Sequence, residues 1–194
     1  MMVIGLAGRP GSGKSAVACT LARREGVEWV DLDQVAWRTY ASGTDVHEAL
    51  VNRFGKTILN EDQTIDRRRL AERVFGDEAA RRDLDRIVHP AVARRLREIL
   101  HSLERGGTRL AIVEGALLAS SPHVERSDYD AILWLEAGHE TRRRRLQADG
   151  REDHATRGNT VHPGPGAILV DAEGTVKEVT ERVWTLVQDL QDTA

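Results

Sequence analysis

The chain alternates short apolar runs with longer stretches of helical spacing. Val3-Ile4-Gly5-Leu6-Ala7 reads as a buried strand, followed by a turn over Gly8–Gly13. A helix is predicted from about Lys14 to Arg24, with Val17, Leu21 and Ala22 on one face. Glu28–Asp31, Arg109–Glu114, Ala131–Leu135 and Ala167–Val170 read as four more strands. Strands that are apolar on both faces and separated by helices predict a parallel sheet covered on both sides. Between the second and third strands, about Asp33 to Arg105, lies a mostly helical stretch too long for a simple crossover. In it Leu84, Ile87, Val88, Val92, Leu96, Ile99, Leu100 and Leu103 recur at helical spacing, and Pro90 is expected to break or bend the run near His89. Val176, Val179, Val183, Leu186, Val187 and Leu190 form the core stripe of a closing helix. The predicted fold is therefore α/β: a parallel five-stranded sheet flanked by helices, with an inserted helical lobe and a short lid. The sheet core falls at about 1–33, 106–149 and 167–194, the lobe at 34–105, and a Gly/Pro-rich lid at 150–166.

Composition narrows the class. With 194 residues the chain fits one domain with room for a lobe. Lysine occurs only at Lys14, Lys56 and Lys177, and the other 25 of the 28 basic residues are arginine. An arginine-rich chain suggests a nucleic-acid partner, but 31 acidic residues bring the net charge to −3, and aromatics are only 4%. That balance argues against phosphate-backbone binding and base stacking. Cys19 is the single cysteine, so neither an internal disulfide nor a cysteine zinc site is expected. No run approaches a membrane span, and a cytoplasmic, soluble protein is expected.

One motif carries chemistry outright. Gly8-Arg9-Pro10-Gly11-Ser12-Gly13-Lys14-Ser15 matches G-x-x-x-x-G-K-S/T between a strand and a helix. Glycines let successive N–H groups curl inward to cradle phosphates, and the following helix adds its positive end. Lys14 is expected on the β and γ oxygens. The Ser15 hydroxyl is a candidate ligand for Mg²⁺. Gly8, Gly11, Ser12, Gly13, Lys14, Ser15 and Ala16 are the expected ATP-binding set. Phosphoryl transfer also needs a carboxylate to take the acceptor's proton. Asp31 and Asp33 follow the second strand, and on an extended segment both would point the same way. Glu114 ends the third strand, where a Walker-B-type acid would hold magnesium through water.

The spacing resembles the dephospho-coenzyme A kinases over most of the first 120 residues. Asp31-Leu32-Asp33 resembles that family's D-x-D. Asn52-Arg53-Phe54-Gly55 with Ile58-Leu59 resembles F-G-x-x-I-L. Ile65-Asp66-Arg67-Arg68-Arg69-Leu70 with Val74-Phe75 resembles D-R-x-x-L…V-F. Leu84–Ile87 with His89-Pro90 resembles L-x-x-I-x-H-P. The resemblance implies a P-loop kinase that uses ATP and magnesium to phosphorylate the ribose 3′-hydroxyl of dephospho-CoA, with Asp33 as general base beside the catalytic Lys14. It places Asp31, Arg38 and His89 in the acceptor site; the charge balance and hydropathy above lead to the expectation of no nucleic-acid or membrane partner.

The departures are specific. Gly8-Arg9-Pro10-Gly11 stands where the family usually has G-G-x-G. Ala116-Leu117-Leu118-Ala119-Ser120 lacks the proline and glutamate of P-L-L-x-E. Arg38 falls one place late, with Trp37 at the usual arginine position. Asp171-Ala172-Glu173-Gly174 lacks the asparagine of N-x-G. After Arg142-Arg143-Arg144-Arg145-Leu146 the lid pattern dissolves, leaving Arg144, Arg145, Arg151 or Arg157 to stabilise the moving phosphoryl group. Arg145 and Arg151 are the choices. A four-arginine run circles the helix, so at most one or two face the site. Two other readings fit parts of the chain. Val113-Glu114-Gly115 resembles the V-E-G of uridine-kinase-like enzymes, which suits a nucleoside kinase. The eroded lid suits a nucleotide-binding protein without transferase activity.

Overall fold

The computed structural model describes residues 1–115, 118, 126–151 and 162–193. Five strands are assigned: β1 (Met2–Gly8), β2 (Val27–Asp31), β3 (Leu110–Glu114), β4 (Ala131–Glu136) and β5 (Ile168–Asp171). They form one sheet of order β2-β3-β1-β4-β5, and every neighbouring pair is parallel. Parallel strands need crossovers, and three of the four contain described α-helices: α1 (Lys14–Leu21), α6 (His139–Ala148) and the long excursion between β2 and β3. A final helix, α7 (Val176–Thr193), closes the chain.

The chain divides into two compact units, Leu32–Ile99 and the remainder. In the sheet unit, Ile4, Leu6, Ile112, Leu133 and Leu135 of the central strands pack with Val17, Ala18 and Leu21 of α1 and with Val179, Val183 and Val187 of α7. The central strands are buried on both faces, as their unbroken apolar runs predict. The edge strand β5 differs. Leu169 is 62% exposed, so the apolar run there is only half covered. Val176, counted in the α7 stripe, is 44% exposed at the helix start.

The helical unit holds α2 (Leu32–Thr39), α3 (Asp45–Phe54), α4 (Arg67–Val74) and most of α5 (Glu78–Arg105). Its core is Leu50, Phe54, Ile58, Leu59, Ile65, Leu70 and Ala80, with Leu84, Ile87 and Val88 packed on it. A single antiparallel bridge, Leu59 to Ile65, interrupts the helices. Asp62 holds the turn between them by accepting from the Thr64 N–H and hydroxyl. Helix starts are capped as their sequences suggest. Thr44 accepts from His47 N–H at 3.1 Å, and Asp66 accepts from the N–H groups of Arg68 and Arg69 at 2.9 and 3.1 Å.

Pro90 does not break the helix. α5 runs through it for 28 residues. Proline removes only the bond that would reach the Arg86 carbonyl, a cost of about 3 kcal/mol. Apolar packing on both sides offsets it: Leu84, Ile87 and Val88 before, and buried Ala91 and Leu96 after.

Candidate active site

In a parallel sheet the site lies at the carboxyl ends of strands, where the connections diverge to opposite sides. Here that point is the end of β1, flanked by β3 and β4. The turn from β1 into α1 is the phosphate loop. Ser12 N–H closes it onto the Arg9 carbonyl at 3.1 Å. Two glycines are forced by close approach. A Cβ on Gly8 would lie 2.6 Å from the Leu135 carbonyl oxygen and 2.7 Å from Ser12 Oγ. Gly11 has φ +80°, and a Cβ there would lie 2.6 Å from the carbonyl oxygen of Arg142. The loop therefore lies directly against α6 and the end of β4. The Lys14 side chain is buried, and its Nζ donates to the Arg9 carbonyl at 3.4 Å. Gly13 precedes the first residue of α1, and Ala16 lies in its first turn.

Opposite the loop, Glu114 is buried at the end of β3. The Ser15 hydroxyl donates to its Oε2 at 3.2 Å. These two expected metal ligands, 99 residues apart, thus meet. Asp31 ends β2 in register with Glu114, so two carboxylates sit side by side at adjacent strand ends.

The D-x-D segment is not extended. Asp31 closes β2, and Asp33 lies in the first turn of α2, exposed, at the start of the helical unit. Arg38 lies exposed in the last turn of the same helix. Trp37, the residue at the family's arginine position, lies under the Arg67 guanidinium, 3.8 Å from ring centroid to Cζ. Such a stack holds Arg67 by cation–π attraction. Tyr40 follows, its hydroxyl pushed up to about 12 by burial, against the pull of Arg67 and with some help from Asp33. His89 pairs with Asp85 across one turn of α5 at 3.3 Å.

The arginine run sorts itself by helix face. Arg142 is 4% exposed and donates from Nε to the Ala137 carbonyl at 3.2 Å. Arg143 pairs with Glu140 on the outer face, and Arg144 is exposed. Arg145, expected on the moving phosphate, has its guanidinium on three backbone carbonyls: Ser12 at 3.1 Å and Ala172 and Gly174 at 3.0 Å each. It ties the phosphate loop to the turn after β5. Glu173, on that turn, accepts from Gly138 N–H at 2.6 Å and the Thr141 hydroxyl at 2.7 Å at the start of α6. These bonds, the Thr141 hydroxyl first, hold its carboxyl below the usual range. Arg151 lies exposed just past α6, with its N–H on the Leu146 carbonyl at 2.8 Å. Arg157, most of the lid at 152–161, and the Ala116–Ser120 segment apart from Leu118 lie outside the described residues.

Sequence reasoning missed Glu136 and Arg142. Glu136 ends β4 as Glu114 ends β3, so the strand-end argument that singled out Glu114 applies to it equally. Arg142 gave no signal, because a four-arginine run hides which member is buried.

A parallel sheet of this order, with a phosphate loop at its switch point facing a strand-end carboxylate, defines a P-loop nucleotide-binding protein. The crystal structure of the Thermus thermophilus protein TT1252 superposes with a TM-score of 0.77 at 28% identity, covering 97% of this chain and 96% of that one. The dephospho-CoA kinase from Campylobacter jejuni, 14% identical, shares the fold with a TM-score of 0.62. The dephospho-CoA kinase family model matches residues 2–159. The dephospho-CoA kinase of Geobacter sulfurreducens is 34% identical over 192 residues, 94% of this chain and 95% of that protein. That of Frankia casuarinae is 36% identical over 201 residues, 98% of this chain and 84% of that protein. The chain belongs to the dephospho-CoA kinase family, the kinases of the last step of coenzyme A biosynthesis. No described helix is long and apolar enough to cross a membrane.

Proposed function

We propose that this chain transfers the γ-phosphoryl group of ATP to the ribose 3′-hydroxyl of dephospho-CoA, with Asp33 as general base and Lys14 holding the transferred group. The observation that carries the reading is the meeting of Ser15 and Glu114 across the mouth of a complete phosphate loop, in a chain of this family. The loop's inward N–H groups and the α1 N-terminus would hold the phosphates of ATP. Lys14 would exchange the Arg9 carbonyl for the β and γ oxygens, a stronger, charge-assisted contact. Asp33 would take the proton of the 3′-hydroxyl, whose oxygen then attacks the γ-phosphorus in line while ADP leaves. Lys14 and the loop amides would stabilise the charge that develops on the oxygens.

The donor set suits Mg²⁺. Ser15 and Glu114 offer a hydroxyl and a carboxylate, hard oxygen ligands, and leave the remaining positions to water and phosphate. When bound, the ion would neutralise charge on the β- and γ-phosphates. Asp31, Arg38 and His89 are proposed to bind the acceptor, with the helical residues 34–105 as the CoA-binding lobe and 150–166 as the lid. Arg151 remains the proposed lid cation. Arg145, with its three carbonyl acceptors, supports the phosphate loop from below. A cytoplasmic location fits the reading.

The test is coupled ADP release with ATP, Mg²⁺ and dephospho-CoA, with the product identified by mass. The expected result is CoA formation that Lys14→Ala abolishes and Asp33→Asn lowers in kcat by about 100-fold or more. Faster turnover of a nucleoside would overturn the acceptor assignment. ATP binding with no turnover of any acceptor would overturn the transferase reading.

A further inference from the structure

A charge cluster stands at the end of β4, beside the phosphate loop. Glu136 accepts from Arg9 Nη1 through Oε1 at 2.9 Å and from the indole N–H of Trp134 through Oε2 at 2.6 Å. The Trp134 ring is fully buried, which fixes that oxygen. Two residues beyond β4, α6 begins, and Arg142 in it is buried. Its Nη1 finds no hydrogen-bond partner among the described residues. Burial and then the nearby Arg9 make its charged form harder to keep, and Glu136 makes it easier. Arg9 is thus in direct contact with this carboxylate, and Arg142 feels its charge without bonding to it. A third neighbour, His162 Nδ1, stands 3.3 Å from the other Arg9 nitrogen, Nη2.

The backbone shows what this cluster holds. The Arg9 carbonyl accepts both the Ser12 N–H that closes the loop and the Lys14 ammonium. The Arg142 backbone lies against Gly11. Arg9 thus occupies the loop's first turn while Arg142 lies under its second, and their like charges push the two apart. Position 9, where the resemblance described above has glycine, carries a cation in this chain, and Glu136 is a carboxylate with which it pairs.

We propose that Glu136 is a positioning residue for the phosphate loop, its carboxylate holding Arg9 against the repulsion of buried Arg142 so that the loop keeps its ATP-binding shape. The proposal deepens the reading given above and rests on the loop's being the ATP site. The pair is partly buried, its side chains 22% and 44% exposed, and removing the carboxylate weakens the hold on Arg9 beside a second, buried cation. The carboxylate is needed because Arg9 is there, so removing Arg9 as well must relieve the loss. A purely structural role through the Trp134 indole predicts no such relief.

The test measures Mg-ATP affinity by calorimetry without any acceptor, so that a wrong acceptor assignment leaves it intact. Glu136→Gln is expected to weaken ATP binding by about tenfold. The double variant Arg9→Gly with Glu136→Gln is expected to bind at least about threefold more tightly than Glu136→Gln alone. Unchanged affinity in Glu136→Gln, or a double variant no tighter than it, overturns the proposal. If Glu136→Gln does not fold, the readout moves to the indole N–H resonance of Trp134, assigned through Trp134→Phe. It should shift when ATP is added to the unsubstituted protein and stay in place in Arg9→Gly. No shift in the unsubstituted protein, or the same shift in Arg9→Gly, also overturns the proposal.

Discussion

Arginine does different work in the two units. In the sheet unit, Arg142 is buried under the phosphate loop, Arg145 spans three carbonyls, and Arg9 shares Glu136 with an indole. In the helical unit, Arg69 also reaches a backbone carbonyl, that of Leu59 at 2.7 Å, and Arg53 reaches Asp83, but the exposed arginines meet acids one helical turn away in water: Arg68 with Glu72, Arg82 with Glu78, and Arg95 with Glu98. Arg142 and Arg145 fix backbone geometry because their acceptors are carbonyls that cannot move independently, and Arg9 is held by a half-exposed carboxylate whose other oxygen a buried indole fixes. The exposed pairs hold nothing but themselves. The excess of arginine over lysine is thus mostly a surface habit, with a small subset made structural by burial.

The contrast is sharpest where backbone meets backbone. Gly11→Ala places a Cβ 2.6 Å from the Arg142 carbonyl oxygen at a φ of +80°. Neither α6 nor the loop can give way without dragging the other. The expected cost is about 3 kcal/mol, or roughly 10 °C in Tm, together with loss of ATP binding. A thermal melt with and without Mg-ATP checks it. Glycines of the helical unit such as Gly43 and Gly76, with nothing within 4 Å of the added carbon, carry only the backbone strain.

Arg145→Lys comes next. The lysine keeps the charge but cannot reach Ser12, Ala172 and Gly174 together, since one ammonium replaces a planar fork. Loss of about 2 kcal/mol in stability is expected, with a rise in KM for ATP larger than any fall in kcat. A kcat loss with KM unchanged would instead place Arg145 at the transferring phosphoryl group, as the lid reading of the sequence had it.

Those two sites show what the chain disclosed and what it withheld. The sheet was legible because parallel strands buried on both faces read as unbroken apolar runs, as in Leu110–Val113. The loop was legible because its chemistry dictates residue types at fixed spacing. The Ser15–Glu114 pair followed from the strand-end rule. Arg142 and the acceptors of Arg145 were not legible, because a guanidinium on backbone carbonyls leaves no partner residue type in the sequence to recognise. That the helix continues through Pro90 was not legible for a related reason. Local propensity is visible in a sequence, whereas the packing of Ala91 and Leu96 that outweighs it is not.

Acid tests both units together. Asp83 is held below its usual range chiefly by the Arg53 side chain, Asp66 by the Arg69 N–H, and Glu173 by the Thr141 hydroxyl. A carboxyl whose folded value is depressed adds stability that is present above its unfolded value and is lost as pH falls through the folded one. Tm should therefore stay level down to about pH 5 and fall below about pH 4. Melts followed by far-ultraviolet circular dichroism across that range check this. A fall beginning near neutral pH would point to histidines instead.

The smallest effect is the most direct probe of the contrast. Arg82 and Glu78 approach to 3.6 Å on the outer face of α5, with side chains 67% and 91% exposed. Water screens their attraction, and two long side chains lose rotamer freedom to meet. The coupling energy from a double-mutant cycle of Arg82→Ala and Glu78→Ala should be no more than about 0.5 kcal/mol. Salt should erase it, since the Debye length at 1 M is only about 3 Å. A coupling well above 1 kcal/mol would mean that the outer arginines also shape backbone, and the division between buried and exposed arginines would collapse. A coupling near zero, set beside a large penalty for Arg145→Lys, would show that burial and carbonyl acceptors decide what an arginine contributes here, and that its charge alone does not.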